Sequence, residues 1–198
     1  SFGIVIGNPP YVSVKKISIF DKKIFNEIFE TGKGRFNLFT LFLEKGQKLL
    51  NEKSILIFIL PEGLFSNTEY KYIRKYLVEK TTILRIGVFT KRVFEASVDT
   101  AIILIENSNE NKKVKIIEDL KNIKNEIDQS DLKNEPEYIF PIKGDDEQNK
   151  ITNLIERETK KLSELFDVQQ GIIYSGRPKE EVFSNEKISD EYKRILDR

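Results

Sequence analysis

The chain has 198 residues, with 33 Lys and Arg against 32 Asp and Glu and a formal net charge of +1. No global basic field marks a nucleic-acid binder, so any such binding must use local patches. Cys and His are both absent, which excludes disulfides, the usual zinc sites and histidine acid–base chemistry. Asn, Tyr, carboxylates and backbone groups are left to do any chemistry. No apolar run is long enough to cross a bilayer and no signal-peptide pattern is present, so a reducing, cytoplasmic setting fits. Met is also absent, and a strand-like run begins at Phe2; this reads as a cut inside a larger protein.

Phe2 to Ile6 is a short apolar run ended by Gly7-Asn8-Pro9-Pro10, which predicts a buried strand that stops abruptly. Asn8 precedes a proline and is biased to extended backbone. Apolar residues at 20, 24, 25, 28 and 29 predict a helix from Phe20 to Phe29, opened by Asp21. Residues 31–34 read as a loop. Phe36 to Leu50 carries its apolar positions mostly on one helical face. Ser54 to Leu60 is a near-continuous apolar run of the parallel-sheet kind, broken by Pro61-Glu62-Gly63. Asn67 is a candidate cap for a helix to Val78 whose apolar side is Tyr70, Ile73, Tyr76 and Leu77. Strands are predicted at Ile83–Phe89, at Val98–Ile105 and, on the edge, at Val114–Ile117. The short link between the first two predicts one antiparallel element at the sheet edge.

This order predicts an α/β fold, a sheet with helices on both faces. Residues 119–160 are rich in Glu, Asp, Lys and Asn and read as a charged linker with one or two helices. A new apolar pattern from Leu162 to Gly176 reads as the first strand and turn of a second domain over 161–198. Candidate basic patches are Lys15-Lys16, Lys22-Lys23, Lys33 with Arg35, Lys71 to Lys75, and Lys91-Arg92.

The most specific feature is Asn8-Pro9-Pro10-Tyr11 directly after a short strand. In open α/β sheets ligands sit beyond the carboxyl ends of strands, which is where Asn8 falls. The tetrapeptide resembles motif IV of the amino-group DNA methyltransferases, adenine-N6 type, of restriction–modification systems. Three further segments resemble the same family in the same order. Arg35 to Lys45 is similar to its N-L-[FY]-x-x-F-[LI]-E helix, Ile57 to Phe65 to its motifs V and VI, and Val93 to Leu104 to its motif VIII. Leu162 to Gly176 resembles the opening of a DNA-recognition domain, with Gln169 or Gln170 as a polar contact and Gly171 as a turn.

The resemblance implies methyl transfer from S-adenosyl-L-methionine to the N6 of an adenine flipped out of double-stranded DNA. An adenine amino group is a poor nucleophile because its lone pair is delocalised into the ring. An acceptor fixed on its N–H draws the nitrogen toward tetrahedral geometry and frees the lone pair. The Asn8 side-chain oxygen and the Pro9 carbonyl would be such acceptors, with Pro10 stiffening the backbone that aims them. Tyr11 would stack on the base, and Phe94 would contact it from the opposite side. Asn8 rather than Ser or Thr favours adenine over cytosine-N4.

On this reading residues 1–118 are the C-terminal half of the catalytic domain. Gly32-x-Gly34 follows a helix rather than a strand, so the main cofactor site is expected upstream of Ser1, with Asn8 contributing partly. The missing N-terminal half of the same protein is then a partner, and the fragment alone is expected to be inactive. Phe2 to Ile6 is expected to leave an exposed hydrophobic surface or to drive self-association. Two alternatives compete: a glutamine-N5 methyltransferase acting on proteins, which also carries Asn-Pro-Pro-Tyr, and a non-catalytic DNA-binding fragment.

Overall fold

The computed structural model describes residues 1–91 and 99–142, and beyond them 151, 154, 155, 159, 160 and 162–166. The chain divides into two compact units, Ser1–Leu154 and Ile155–Arg198. In the second unit Leu162–Leu165 forms a helical turn, where the apolar pattern predicted a strand. The remainder of that pattern, with Gln169, Gln170 and Gly171, lies outside the described residues, as does Phe94.

The first unit is a six-stranded mixed sheet. Its strands are β1 (Phe2–Gly7), β2 (Leu50–Pro61), β3 (Thr82–Val88), β4 (Thr100–Glu106), β5 (Lys113–Glu118) and β6 (Asn122–Asp128), in the order β1-β2-β4-β3-β5-β6. β1 runs parallel to β2 and β3 parallel to β5, while β4 is antiparallel to both of its neighbours. The predicted antiparallel pair is therefore present, but β4 sits in the middle of the sheet rather than at its edge. Its continuous apolar run Ala101 to Ile105 suits a strand hydrogen-bonded on both sides. β5 is internal as well, because β6 pairs with it antiparallel and takes the edge.

Helices α1 (Ile19–Ile28), α2 (Leu38–Lys48) and α3 (Lys71–Lys80) accompany the sheet. The core lies on one sheet face, where Leu56, Phe58, Leu60, Ile86, Ile103 and Ile116 meet Phe39 and Leu43 of α2 and Ile73 and Leu77 of α3. Each such side chain contributes about 1.5–3 kcal/mol on leaving water. Gly46 lets α2 close onto β2, since a Cβ there would stand 2.6 Å from Leu56 Cδ1.

The opposite face carries the alternate residues of each strand. Cross-strand register lines up Ile6, Ile57 and Leu104 there, and Ile59 beside Ile102. These side chains are exposed or only half-buried. Exposure is greatest on β1, at 56% for Phe2, 62% for Ile4 and 72% for Ile6. The expectation of a buried first strand is thus corrected: β1 is an edge strand, and only Val5 among its apolar side chains packs against the core. The exposed hydrophobic surface expected at Phe2 to Ile6 is present. No helix among the described residues is long and apolar enough to cross a membrane.

Residues 122–128, inside the segment read as a charged linker, form β6, and the chain continues into the same core through Leu132, Phe140 and Ile142. Gln129 holds this return in place. Its amide oxygen accepts from the Ile83 N–H at 2.8 Å, and its amide nitrogen donates to the carbonyls of Thr81 and Val78 at 2.7 and 3.1 Å.

Candidate functional site

The Asn-Pro-Pro-Tyr segment begins where β1 stops. Gly7, opposite Phe58, is the last paired residue of the strand. Asn8 follows it exposed, Pro9 is buried and Pro10 is exposed. The Asn8 side chain makes no hydrogen bond among the described residues. Tyr11 turns back across the sheet end, its hydroxyl donating to the Ile59 carbonyl at 3.1 Å. Its ring meets Phe39 edge-on, with centroids 6.1 Å apart and planes at 81°. Partial burial pushes the Tyr11 hydroxyl up from its ordinary value, which keeps it a donor. Asn8 is therefore carried on a short arc anchored at both ends, by the β1–β2 ladder and by Tyr11 on β2.

The chain after Tyr11 is fastened to the start of α2. The Leu38 N–H donates to the Val12 carbonyl at 2.9 Å, and the Val14 N–H to the Phe36 carbonyl at 3.1 Å. Asn37 stands at the helix N-cap without a capping bond from its side chain, and its Oδ1 is buried without a partner among the described residues. The other end of the N-L-F-x-x-F-L-E pattern is Glu44, fully buried on α2. Its carboxylate accepts from the Thr31 N–H at 2.9 Å and the Glu30 N–H at 3.1 Å, and pairs with Lys48. Burial alone would raise this carboxyl; the Lys48 ammonium and the Thr31 and Glu30 donors outweigh it and hold the group below the ordinary glutamate value. Glu44 thus pins the loop after α1 to α2.

At the carboxyl end of β2 the chain forms two short 3-10 turns, Glu62–Phe65 and Thr68–Tyr70, before α3. Asn67 precedes the second turn but gives no side-chain cap. The expectation of a helix capped by Asn67 is corrected to a helix that starts at Lys71. Tyr70 packs on Phe39 with centroids 5.2 Å apart, so the rings of Tyr11, Phe39 and Tyr70 form a row beneath the two strand ends. Burial, with the neighbouring Glu69 charge, pushes the Tyr70 hydroxyl up to about 12.

Arg74 departs most from its sequence reading, which groups it with the Lys71 to Lys75 surface patch. It is fully buried. Its guanidinium donates to the carbonyls of Leu64 and Asn67, both at 2.7 Å, and to that of Glu137 at 3.1 and 3.2 Å. Burial lowers its basicity, offset in part by the Glu137 charge. It ties the loop after β2 to the returning segment near Glu137. Two of the other patches converge: Gly34 and Arg35 line with Lys71 and Tyr72 an open groove of about 740 Å³, while Arg92 lies outside the described residues.

Residues 1–94 match the family model of the Eco57I restriction-modification methylases. The resemblance is to restriction–modification methyltransferases. Type II methyltransferase M.TthHB8I of Thermus thermophilus is 30% identical over 108 residues, covering 50% of this chain and 25% of that protein. Type II methyltransferase M.AccI of Acinetobacter calcoaceticus is 35% identical over 119 residues, covering 56% of this chain and 21% of that protein. The chain thus spans about a quarter or less of these curated relatives. A solved structure from a study of complex assembly in the type I R-M system aligns with a TM-score of 0.52 at 15% identity, covering 79% of this chain and 42% of that one. At that identity the likeness bears on the fold alone, and it agrees with a mixed α/β sheet flanked by helices.

Arg74, Gln129 and the partners of Glu44 were not found by sequence reasoning. Arg74 did leave a signal: it lies on the helical stripe of Tyr70, Ile73, Leu77 and Val78, where a solvated Arg would be out of place.

Proposed function

We propose that this chain carries the target-base side of a DNA adenine-N6 methyltransferase belonging to a restriction–modification system. The observation that supports it most is the placement of Asn8. It is exposed just past the last paired residue of β1, with no hydrogen bond to its side chain among the described residues, and is followed by a buried proline and a tethered tyrosine. Such an amide is available to accept from an incoming amino group, and its backbone is fixed in advance, so little reorganisation is needed as charge develops.

On this reading the Asn8 Oδ1 and the Pro9 carbonyl accept the two amino hydrogens of the flipped adenine. The N6 lone pair then turns away from the ring toward the methyl donor. Tyr11, its hydroxyl committed to Ile59, offers its ring as a stacking surface, and Phe94 is the proposed contact on the other side of the base. The residues up to 118 belong to the catalytic domain, and those from 161 open a target-recognition domain.

S-adenosyl-L-methionine is the cofactor this reading implies, and it would supply the methyl group. The described residues do not fit as its main holder. Gly32 and Gly34 follow α1 rather than a strand. Gly63 follows β2, but a Cβ there would stand 2.7 Å from Asn67 Nδ2, so its side is filled rather than open. The main cofactor contacts are assigned to residues other than those described, and this chain's own part is to orient the amino group.

The test is product analysis. The protein as encoded is incubated with labelled S-adenosyl-L-methionine and either duplex DNA or a glutamine-containing peptide. N6-methyladenine in the digested DNA is the expected product. N4-methylcytosine would change the base, label only on the peptide would replace the reading with glutamine methylation, and label on neither would remove it.

A further inference from the structure

The segment just after the candidate catalytic arc is unusual for its exposure. α1 buries none of its residues. Ile19, at 86% exposure, and Phe20, at 72%, stand in solvent at its first turn, which Ser18 caps with its side chain. The Ser18 hydroxyl accepts from the Asp21 N–H at 3.1 Å, satisfying one helix-start donor, and donates to the Asp21 carboxylate at 2.6 Å. The far end of the helix is fastened by Phe25, whose ring meets those of Phe29 and Phe36. Two apolar side chains are therefore displayed on a fixed support.

Cations surround them. Lys15 and Lys16 lie in the 3-10 turn before the helix. Lys22 and Lys23 lie one turn after Ile19 and Phe20, the spacing that puts side chains on one helical face. None of the four lysines forms an ion pair among the described residues, and Asp21, the one acid between Lys15 and Lys23, is occupied by Ser18. A basic surface bearing a small rigid apolar tip is complementary to a duplex whose backbone is anionic and whose bases, once unstacked, present apolar faces.

We propose that α1 and the turn before it form a DNA-contact element beside the target site. Lys15, Lys16, Lys22 and Lys23 take phosphates flanking the target, and Ile19 and Phe20 press as a wedge against the base step opened when the target base leaves the stack. This inference rests on the reading of the chain as a DNA methyltransferase and adds a part to it. The sequence carries the element directly from Tyr11, and the Val12–Leu38 and Val14–Phe36 backbone bonds tie its root to α2.

Two measurements on the protein as encoded test it. The first is binding to a mixed-sequence 30-base-pair duplex at several salt concentrations. Replacing the four lysines by Ala should flatten the dependence of log Kd on log salt by about 0.9 for each phosphate no longer neutralised. The same slope in wild type and variant would overturn the phosphate-binding role of the lysines. The second is methyl incorporation into plasmid DNA at saturating concentration. Ile19→Ala with Phe20→Ala should lower turnover by about tenfold or more, with Kd for the duplex changed less than about threefold. Phe20→Leu should restore most of it. Because both side chains are exposed, the melting temperature should not move. Unchanged turnover in the double variant, with active wild type, would overturn the wedge while leaving the methyltransferase reading intact. Phe20-dependent binding to anionic lipid vesicles with unaltered DNA methylation would overturn it in favour of a membrane surface. A wild-type protein inactive on DNA would remove the underlying reading and this inference together.

Discussion

At the scale of single residues, chemistry and support are divided between side chains that look alike in the sequence. Glu44 is an acid in the middle of a helix, yet it serves as the acceptor for two loop amides and one ammonium. Glu44→Gln should cost about 1.5–3 kcal/mol, the range for removing hydrogen bonds to a charged group, read as a shift in the urea midpoint at pH 7. The pH dependence has a defined sign. The folded carboxyl is held below its ordinary value, so its contribution is present above the unfolded pKa and is lost as pH falls through the lower folded one. The gap between wild type and Glu44→Gln should therefore close only under acid conditions. A gap constant down to the acid limit would mean that the charge of Glu44 is not what matters. Tyr11 separates two roles in the same way. Tyr11→Phe loses only the bond to Ile59 and should keep turnover within a few-fold. Tyr11→Ala also loses the proposed stacking surface, worth about 1–3 kcal/mol per base, and should fall about tenfold or more. Equal losses in the two variants would show that the hydroxyl tether, rather than the ring, is the working part.

At the scale of elements, the strands with strong period and the helix α2 were legible because their apolar residues repeat at the spacing of the element they form. β6 was not, for a physical reason. Ile123 and Ile127 are four residues apart, a helical spacing, and the rest of the strand is polar or charged. The two isoleucines reach different faces because the β5–β6 register shifts between Ile116 and Ile117: Ile123 pairs with Ile117 and Ile127 with Val114. A bulge of that kind inverts the alternation a reader would look for. The Asn-Pro-Pro-Tyr tetrapeptide, the proposed catalytic segment, stands out in the sequence because it is local. The long-range clamps of the fold were not legible, since Arg74 reaches Glu137 and Gln129 reaches Ile83 across long stretches of chain. The returning segment should therefore behave as part of the fold. Phe140 is buried, its ring 5.7 Å from that of Phe65 and its N–H donating to the Phe65 carbonyl at 2.9 Å. Phe140→Ala should destabilise the unit by about 3–5 kcal/mol in urea unfolding. A change below about 0.5 kcal/mol, the size usual for surface substitutions, would return the segment to the status of a linker.

At the scale of the whole molecule, the described residues are proposed to hold the target-base side, and the main cofactor contacts are assigned to other residues. Calorimetry of the 198-residue chain with S-adenosyl-L-methionine should show no binding in the micromolar range, since every 1.4 kcal/mol of missing interaction weakens affinity about tenfold. Stoichiometric micromolar binding would mean that the cofactor site had been misplaced. The most direct test of the central claim, that Asn8 orients the target amino group, is the Asn8→Ala variant of the protein as encoded, assayed for DNA binding and methyl incorporation together. An acceptor engaged mainly in the transition state predicts near-normal binding with turnover reduced by orders of magnitude; normal turnover in that variant would contradict the mechanism.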